Sequence, residues 1–173
     1  MRREELLGLA DAALLAQCRV DRLRGSGPGG QKRNKTESSV RLRHEATGLA
    51  AMSGESRSQP ENKARALRRL RERIAFDLRQ PIDLDDFEPP AALAALAAQD
   101  PVRKSEKWLR SPDYLRAAAE LIDLYQAVGC DLAEAARRMA VSQSRLERLL
   151  RADPRLARKL GELRTALRGR PAV

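Results

Sequence analysis

Histidine occurs once in these 173 residues, at His44, and cysteine twice, at Cys18 and Cys130. So few ligands cannot assemble a structural zinc site, and no C-x-x-C pair occurs. No metal and no cofactor are expected. The two cysteines fit a reducing cytoplasm rather than a disulfide-built secreted fold, and both read as small buried hydrophobes. Aromatics make up only 3% of the chain, so the core must be mostly Leu, Ala, Ile and Val. No apolar run reaches the roughly 20 residues of a membrane span. The start, Met1-Arg2-Arg3-Glu4-Glu5, carries acids and lacks a secretory h-region and cleavage site. Lysine is scarce, with six residues among 34 Lys and Arg.

Positive charge is abundant. Net charge is +10 and the pI about 10.5. A surplus of this size points to a polyanionic partner, nucleic acid before an anionic membrane. Much of it is concentrated near one glycine-rich loop and along one helix.

Periodicity divides the chain into residues 1–80, 81–101 and 102–173. Glu4 to Gln17 reads as a short helix with Leu6, Leu7, Leu14 and Leu15 as its apolar positions. Cys18–Leu23 and Ser39–His44 alternate as strands, the second placing Val40, Leu42 and His44 on one face. Ala46-Thr47-Gly48 signals a turn, and Leu49–Ser53 returns as a hairpin arm. Ser58 is the expected N-cap of a long helix, with Glu61 completing a capping box and Pro60 in the first turn. Ala64, Leu67, Leu70, Ile74 and Leu78 form its apolar stripe, opposite Arg65, Arg68, Arg69, Arg73 and Arg79, and Pro81 ends it. Residues 81–101 hold five acids and no base. They read as a linker with a short helix at Ala91–Ala98. The remainder reads as four helices, begun by Ser111 or Asp113, by Asp131, at Gln143, and by Asp153-Pro154. Tyr114, Ala118, Leu121, Tyr125 and Val128 are buried by the first of them.

The segment Gly25-Ser26-Gly27-Pro28-Gly29-Gly30-Gln31, followed by Asn34-Lys35-Thr36, cannot form a core. Its glycines admit backbone angles other residues resist and let main-chain N–H groups approach a ligand. Pro28 stiffens it. Lys32, Arg33 and Lys35 are either solvated charges or phosphate contacts. His44 reads as a satisfied sheet residue rather than a catalyst.

This segment, with Val40-Arg41-Leu42, Thr47-Gly48 and Arg57-Ser58-Gln59-x-x-Asn62, resembles the catalytic domain of class I peptide chain release factors. The match runs from about Leu14 to Leu78, and short bacterial ribosome-rescue hydrolases are similar. The resemblance implies an α+β fold: a short mixed or antiparallel sheet, a packed C-terminal helix and an extended glycine loop, followed here by a small all-α domain. It implies ribosome-dependent hydrolysis of the ester between nascent peptide and P-site tRNA. Gly29, Gly30 and Gln31 would be catalytic, the Gln31 main-chain N–H stabilising the oxyanion. Lys32, Arg33, Lys35, Arg57, Arg65, Arg68 and Arg69 would meet RNA. Gly27, Pro28, Asn34, Thr36 and Gln59 would support the loop; Arg57 and Gln59 either bind RNA or brace it. The expected partners are the rRNA of the peptidyl transferase centre and peptidyl-tRNA, with no membrane and a monomer off the ribosome. Many relatives carry a small apolar residue where Arg33 stands. Codon-reading domains are not found beside this one, so codon-independent rescue is the expected activity.

Ala136, Ala140-Val141-Ser142, Leu146 and Leu149 resemble a helix-turn-helix, with Gln143, Ser144, Arg145 and Arg148 able to face a groove. Plain three-helix packing is the other reading. A non-hydrolytic nucleic-acid-binding regulator is therefore the alternative function. Trp108 either stacks on RNA or anchors the linker to the helices.

Overall fold

One long amphipathic helix and a three-stranded sheet organise the first half of the chain. The computed structural model describes residues 2–23, 38–98 and 107–169. The chain divides between Leu78 and Arg79 into two units.

The first unit runs α1 (Arg3–Gly8), α2 (Asp11–Ala16), β1 (Cys18–Leu23), β2 (Ser39–His44), β3 (Ala50–Ser53) and α3 (Gln59–Asp77). The strands form one antiparallel sheet in the order β1-β2-β3. Register pairs Leu23 with Ser39 and Cys18 with His44 across β1 and β2, and Val40 with Ser53 across β2 and β3. Alternation sends Val40, Leu42 and His44 inward, as expected, and leaves Arg41 and Arg43 exposed. A one-residue slip would exchange the two sets. Gly48 turns the hairpin with φ +70°, a left-handed angle that favours glycine.

The sheet and α1 pack on α3. The buried stripe of α3 is Asn62, Ala66, Leu67, Leu70, Ile74, Ala75 and Phe76. Leu42, Leu70 and Ile74 are fully enclosed, and each such side chain contributes about 1.5–3 kcal/mol. Ala64, expected inside, is exposed; the stripe runs through Ala66 instead. The helix ends at Asp77, leaving half-buried Leu78 as an extended cap, three residues before Pro81. Only one arm of the expected capping box forms. Ser58 Oγ accepts from the Glu61 amide at 3.4 Å, while the Ser58 amide donates to Ser56 Oγ at 3.0 Å.

The helix expected over Glu4–Gln17 is two helices. The backbone turns extended at Leu9 and Ala10, with ψ 142° and 154°. Arg71 of α3 occupies that break. Its guanidinium donates to Leu7 O at 3.4 Å and Leu9 O at 2.6 Å, and pairs with Asp11 in the first turn of α2 at 2.9 Å.

The second unit contains α4 (Ala91–Ala98), a 3-10 turn at Trp108–Arg110, α5 (Pro112–Ala127), α6 (Leu132–Arg138), α7 (Gln143–Ala152) and α8 (Pro154–Arg168). Ser111, Asp131, Ser142 and Asp153 cap α5 to α8 through their side chains. Helix α5 is the core, with Leu121, Ile122 and Leu124 fully buried; it ends before Val128, which is half-buried. The short helix expected at Ala91–Ala98 forms with those bounds. Leu93 and Leu96, one helical turn apart, bury α4 against α5, and Arg138 donates to the Leu84 carbonyl at 2.5 Å. Arg79, placed by the sequence on the face of the preceding helix, instead donates to buried Asp123 at 2.8 Å.

Asp153 is buried and accepts from the Tyr114 hydroxyl at 2.7 Å and from Arg155 at 3.0 Å. Burial alone would raise its carboxyl, but the hydrogen bonds from Arg155 and Tyr114 outweigh it and the net shift is downward. Trp108 stacks tilted on Tyr114, ring centroids 4.7 Å apart, an anchoring contact within the helical unit. Between α6 and α7, Ala140 has φ +55°.

Candidate nucleic-acid interface

The glycine loop joins two paired strand ends. Leu23 closes β1, Ser39 opens β2, and the two are register partners. Gly27, Pro28, Gly29, Gly30, Gln31, Lys32, Arg33, Asn34, Lys35 and Thr36 lie outside the described residues. What the structure describes is the root on which they are carried.

Asn62 organises that root. It is fully buried in the first turns of α3, and its amide uses its full hydrogen-bonding capacity. Nδ2 donates to Ser38 O and to Ser56 O, both at 2.7 Å. Oδ1 accepts from Ser53 Oγ at 3.2 Å and from the Ser56 amide at 3.0 Å. One side chain thus ties the entry to β2, the end of β3 and the turn into α3. A neutral amide is the group that offers two donors and two acceptors at once. Beside it, Gly54 passes so close to Ser39 that an added Cβ would run into its hydroxyl, with the Ser39 Cβ at 3.2 Å.

A cleft of about 730 Å³ opens at the same end of the sheet, lined by Val20, Asp21, Arg22, Leu23, Arg41 and Lys63. Helix α3 leaves part of β1 uncovered, so Val20 stays 40% exposed. Asp21 accepts from Arg41 at 2.8 Å and from Arg19 at 3.0 Å. The Arg41 hydrogen bond holds its carboxyl below the ordinary range. Arg22 and Lys63 make no hydrogen bond or ion pair among the described residues, so their charges face the cleft's solvent.

The arginines named from the sequence separate into two groups. Arg65 and Arg69 both pair with Glu55, and Arg69 also donates to Met52 O at 2.7 Å. Arg73 does the same to Ala50 O at 2.7 Å. These guanidiniums hold the outer edge of β3. Arg57 and Arg68 are exposed and unpaired among the described residues. Gln59 is half-buried at the start of α3, and its side chain bonds to no described residue. Asn62, Arg22, Lys63 and Arg71 were given no role from the sequence. The signal for Asn62 was a polar residue on the apolar stripe, one turn before Ala66.

His44 is fully buried, with Nδ1 2.9 Å from Thr47 Oγ1 and Nε2 3.1 Å from Gln17 Oε1. The Thr47 amide donates to Nδ1 at 3.3 Å, which puts the ring proton on Nε2. Burial lowers its pKa, against the pull of Glu45. Cys18 and Cys130 are half-buried free thiols, both raised by burial. No helix among the described residues is long and apolar enough to cross a membrane.

Residues 15–90 match the family described as the RF-1 domain. This stretch is similar to the catalytic domain of class I peptide chain release factors. Peptide chain release factor 1 of Treponema pallidum (strain Nichols) is 50% identical over 62 residues, 36% of this chain and 17% of that protein. The Leptothrix cholodnii release factor 1 is 51% identical over 65 residues, 38% of this chain and 18% of its own length. Peptide chain release factor 2 of Paramagnetospirillum magneticum is 49% identical over 59 residues, 34% of this chain and 16% of that protein. The chain thus spans about a sixth of the length of these relatives. No solved structure gives a significant match.

Proposed function

We propose that this protein hydrolyses the ester of peptidyl-tRNA on the ribosome, without reading a stop codon. The observation that carries the reading is the RF-1 domain match over residues 15–90, which encloses Gly29-Gly30-Gln31 and its anchored root. Attack of water on the ester carbonyl builds charge on the carbonyl oxygen and then on the departing ribose oxygen. The Gln31 main-chain N–H donates to that charge, and a preset donor of this kind is worth about 10²–10³ in rate. Gly29 and Gly30 supply the backbone freedom to aim it. The Gln31 side chain has no useful pKa and shapes the water site rather than acting as base. Lys32, Arg33, Lys35, Arg57 and Arg68 meet RNA phosphate; Asn34, Thr36 and Gln59 brace the loop. The partners are the rRNA of the peptidyl transferase centre and P-site tRNA, reached in the cytoplasm by a monomer.

Peptide release from stalled ribosome complexes, with and without a stop codon in the A site, tests this. Wild type releases peptide from both, and Gly30→Ala loses at least about 10²-fold. Release confined to stop-codon complexes overturns codon independence. No release from either overturns the hydrolase reading.

A further inference from the structure

The second unit carries its charge unevenly. Between Arg79 and Ala136 acids outnumber bases eleven to six; between Arg137 and Arg170 bases outnumber acids eleven to three. The fold gathers that second stretch into α7, α8 and the end of α6. The three acids there are all occupied. Glu147 accepts from Gln143 at 2.9 Å, Asp153 is buried under Tyr114 and Arg155, and Glu162 faces Arg158 at 3.7 Å. Four arginines have no such answer. Arg148 and Arg151 lie three residues apart on α7, Arg164 and Arg168 four apart on α8. All four are exposed, with no hydrogen bond or ion pair among the described residues. Like charges at these helical spacings repel, so this arrangement is held at a cost that a polyanion would remove. Arg164 and Arg168 border a cleft of about 510 Å³ that also takes in Tyr125, Cys130, Leu150 of α7 and Asp131, whose carboxylate is engaged in capping α6 through the Ala133 and Glu134 amides. Helices α7 and α8 pack on each other, so the two arginine pairs sit on neighbouring elements of one unit.

We propose that this α7–α8 surface is a second RNA site, which grips phosphate backbone and does not read bases. The side chains that base reading would need are not free. Gln143, the first residue of α7, is hydrogen-bonded to Glu147 at 2.9 Å, which occupies the amide that a base edge would need. Arg145 is half-buried and lines an apolar pocket with Leu96, Met139 and Leu146. Ser144 is exposed, its hydroxyl 3.1 Å from that of Ser142, and the charged side chains that remain outward are arginines, suited to phosphate and indifferent to sequence. The choice of RNA over DNA rests on the ribosomal reading of the first unit.

The test uses the full chain and a 20-base-pair RNA hairpin, with a DNA duplex of the same sequence as comparison, titrated in salt. Each phosphate contact adds about 0.9 to the slope of log affinity against log salt on a B-form duplex, and about 0.7 on a single strand. Arg148→Ala/Arg151→Ala and Arg164→Ala/Arg168→Ala are each expected to lower the RNA slope by about 1–2. RNA affinity is expected to fall roughly tenfold at 0.1 M salt, and the lysine versions of both pairs to keep the slope. Unchanged slopes in both alanine pairs overturn the proposal. So does equal loss in the lysine pairs, which would mark a structural effect, and so does tighter binding to DNA than to RNA. Binding is read without ribosomes, so a wild type that releases no peptide would leave this result standing or falling by itself.

Discussion

Replacing Asn62 by alanine strands four groups at the root of the glycine loop. Ser38 O and Ser56 O lose donors at 2.7 Å, and the Ser56 amide and Ser53 hydroxyl lose their acceptor. A buried polar group left without its partner costs about 1–3 kcal/mol. The Ser53 hydroxyl can rotate, and Ser38 and Ser56 are half-exposed, so water relieves part of the loss. The expected destabilisation of the first unit is about 3 kcal/mol, against about ±0.5 for an ordinary surface change. Native-state hydrogen exchange at the amides of Leu42, Ala51 and Leu67 measures it. Asn62→Asp separates hydrogen bonding from packing, because it keeps the volume and turns the donor edge into an acceptor facing two carbonyls. Its folded pKa must then lie above the unfolded value of about 3.9. The deficit is therefore complete above the raised folded pKa and shrinks as pH falls toward 4. A loss under about 1 kcal/mol in the alanine variant, or an Asp variant whose deficit ignores pH, refutes the reasoning.

His44 is buried neutral, with its pKa depressed. The first unit should keep full stability above the unfolded value of about 6.5 and lose it as pH falls below. Thermal melts between pH 7.5 and 5.5 should show this slope, and His44→Gln should flatten it; an unchanged slope in the variant contradicts the account. Ala140 sits at φ +55°, a left-handed angle costing a residue with a Cβ about 1–2 kcal/mol. Ala140→Gly should therefore raise the stability of the second unit by about 1 kcal/mol, after the glycine's greater unfolded-state entropy is subtracted. Urea unfolding followed by Trp108 fluorescence reads it, and a lower midpoint would mean the turn is not strained.

The strands, the turn at Gly48 and the helix start at Ser58 were legible because each rests on local pattern: alternation, a glycine, a capping serine followed by proline. The α1–α2 break was not, since nothing in Glu4–Gln17 forbids a continuous helix and the Arg71 contacts come from some 60 residues away. The basic face of α3 was visible as a stripe, but the sequence could not separate arginines committed to Glu55 and the β3 carbonyls from those left free. Asn62 was visible as part of a motif and as a polar residue on the apolar stripe, but its role was not. Its role depends on three segments that meet in space, and periodicity carries no record of that. The same holds for Arg145, which the helix-turn-helix pattern turns outward and the packing of Leu96 and Met139 draws in.

The two guanidiniums seated on the outer carbonyls of β3 have a consequence beyond this fold. A free strand edge is a template on which an identical chain can add, and on through further copies into fibrils. With Ala50 O and Met52 O already occupied, that recruitment is blunted on this side. Arg69 and Arg73 thereby guard against self-assembly, and mutating both to improve or abolish some other property would risk precipitating the protein.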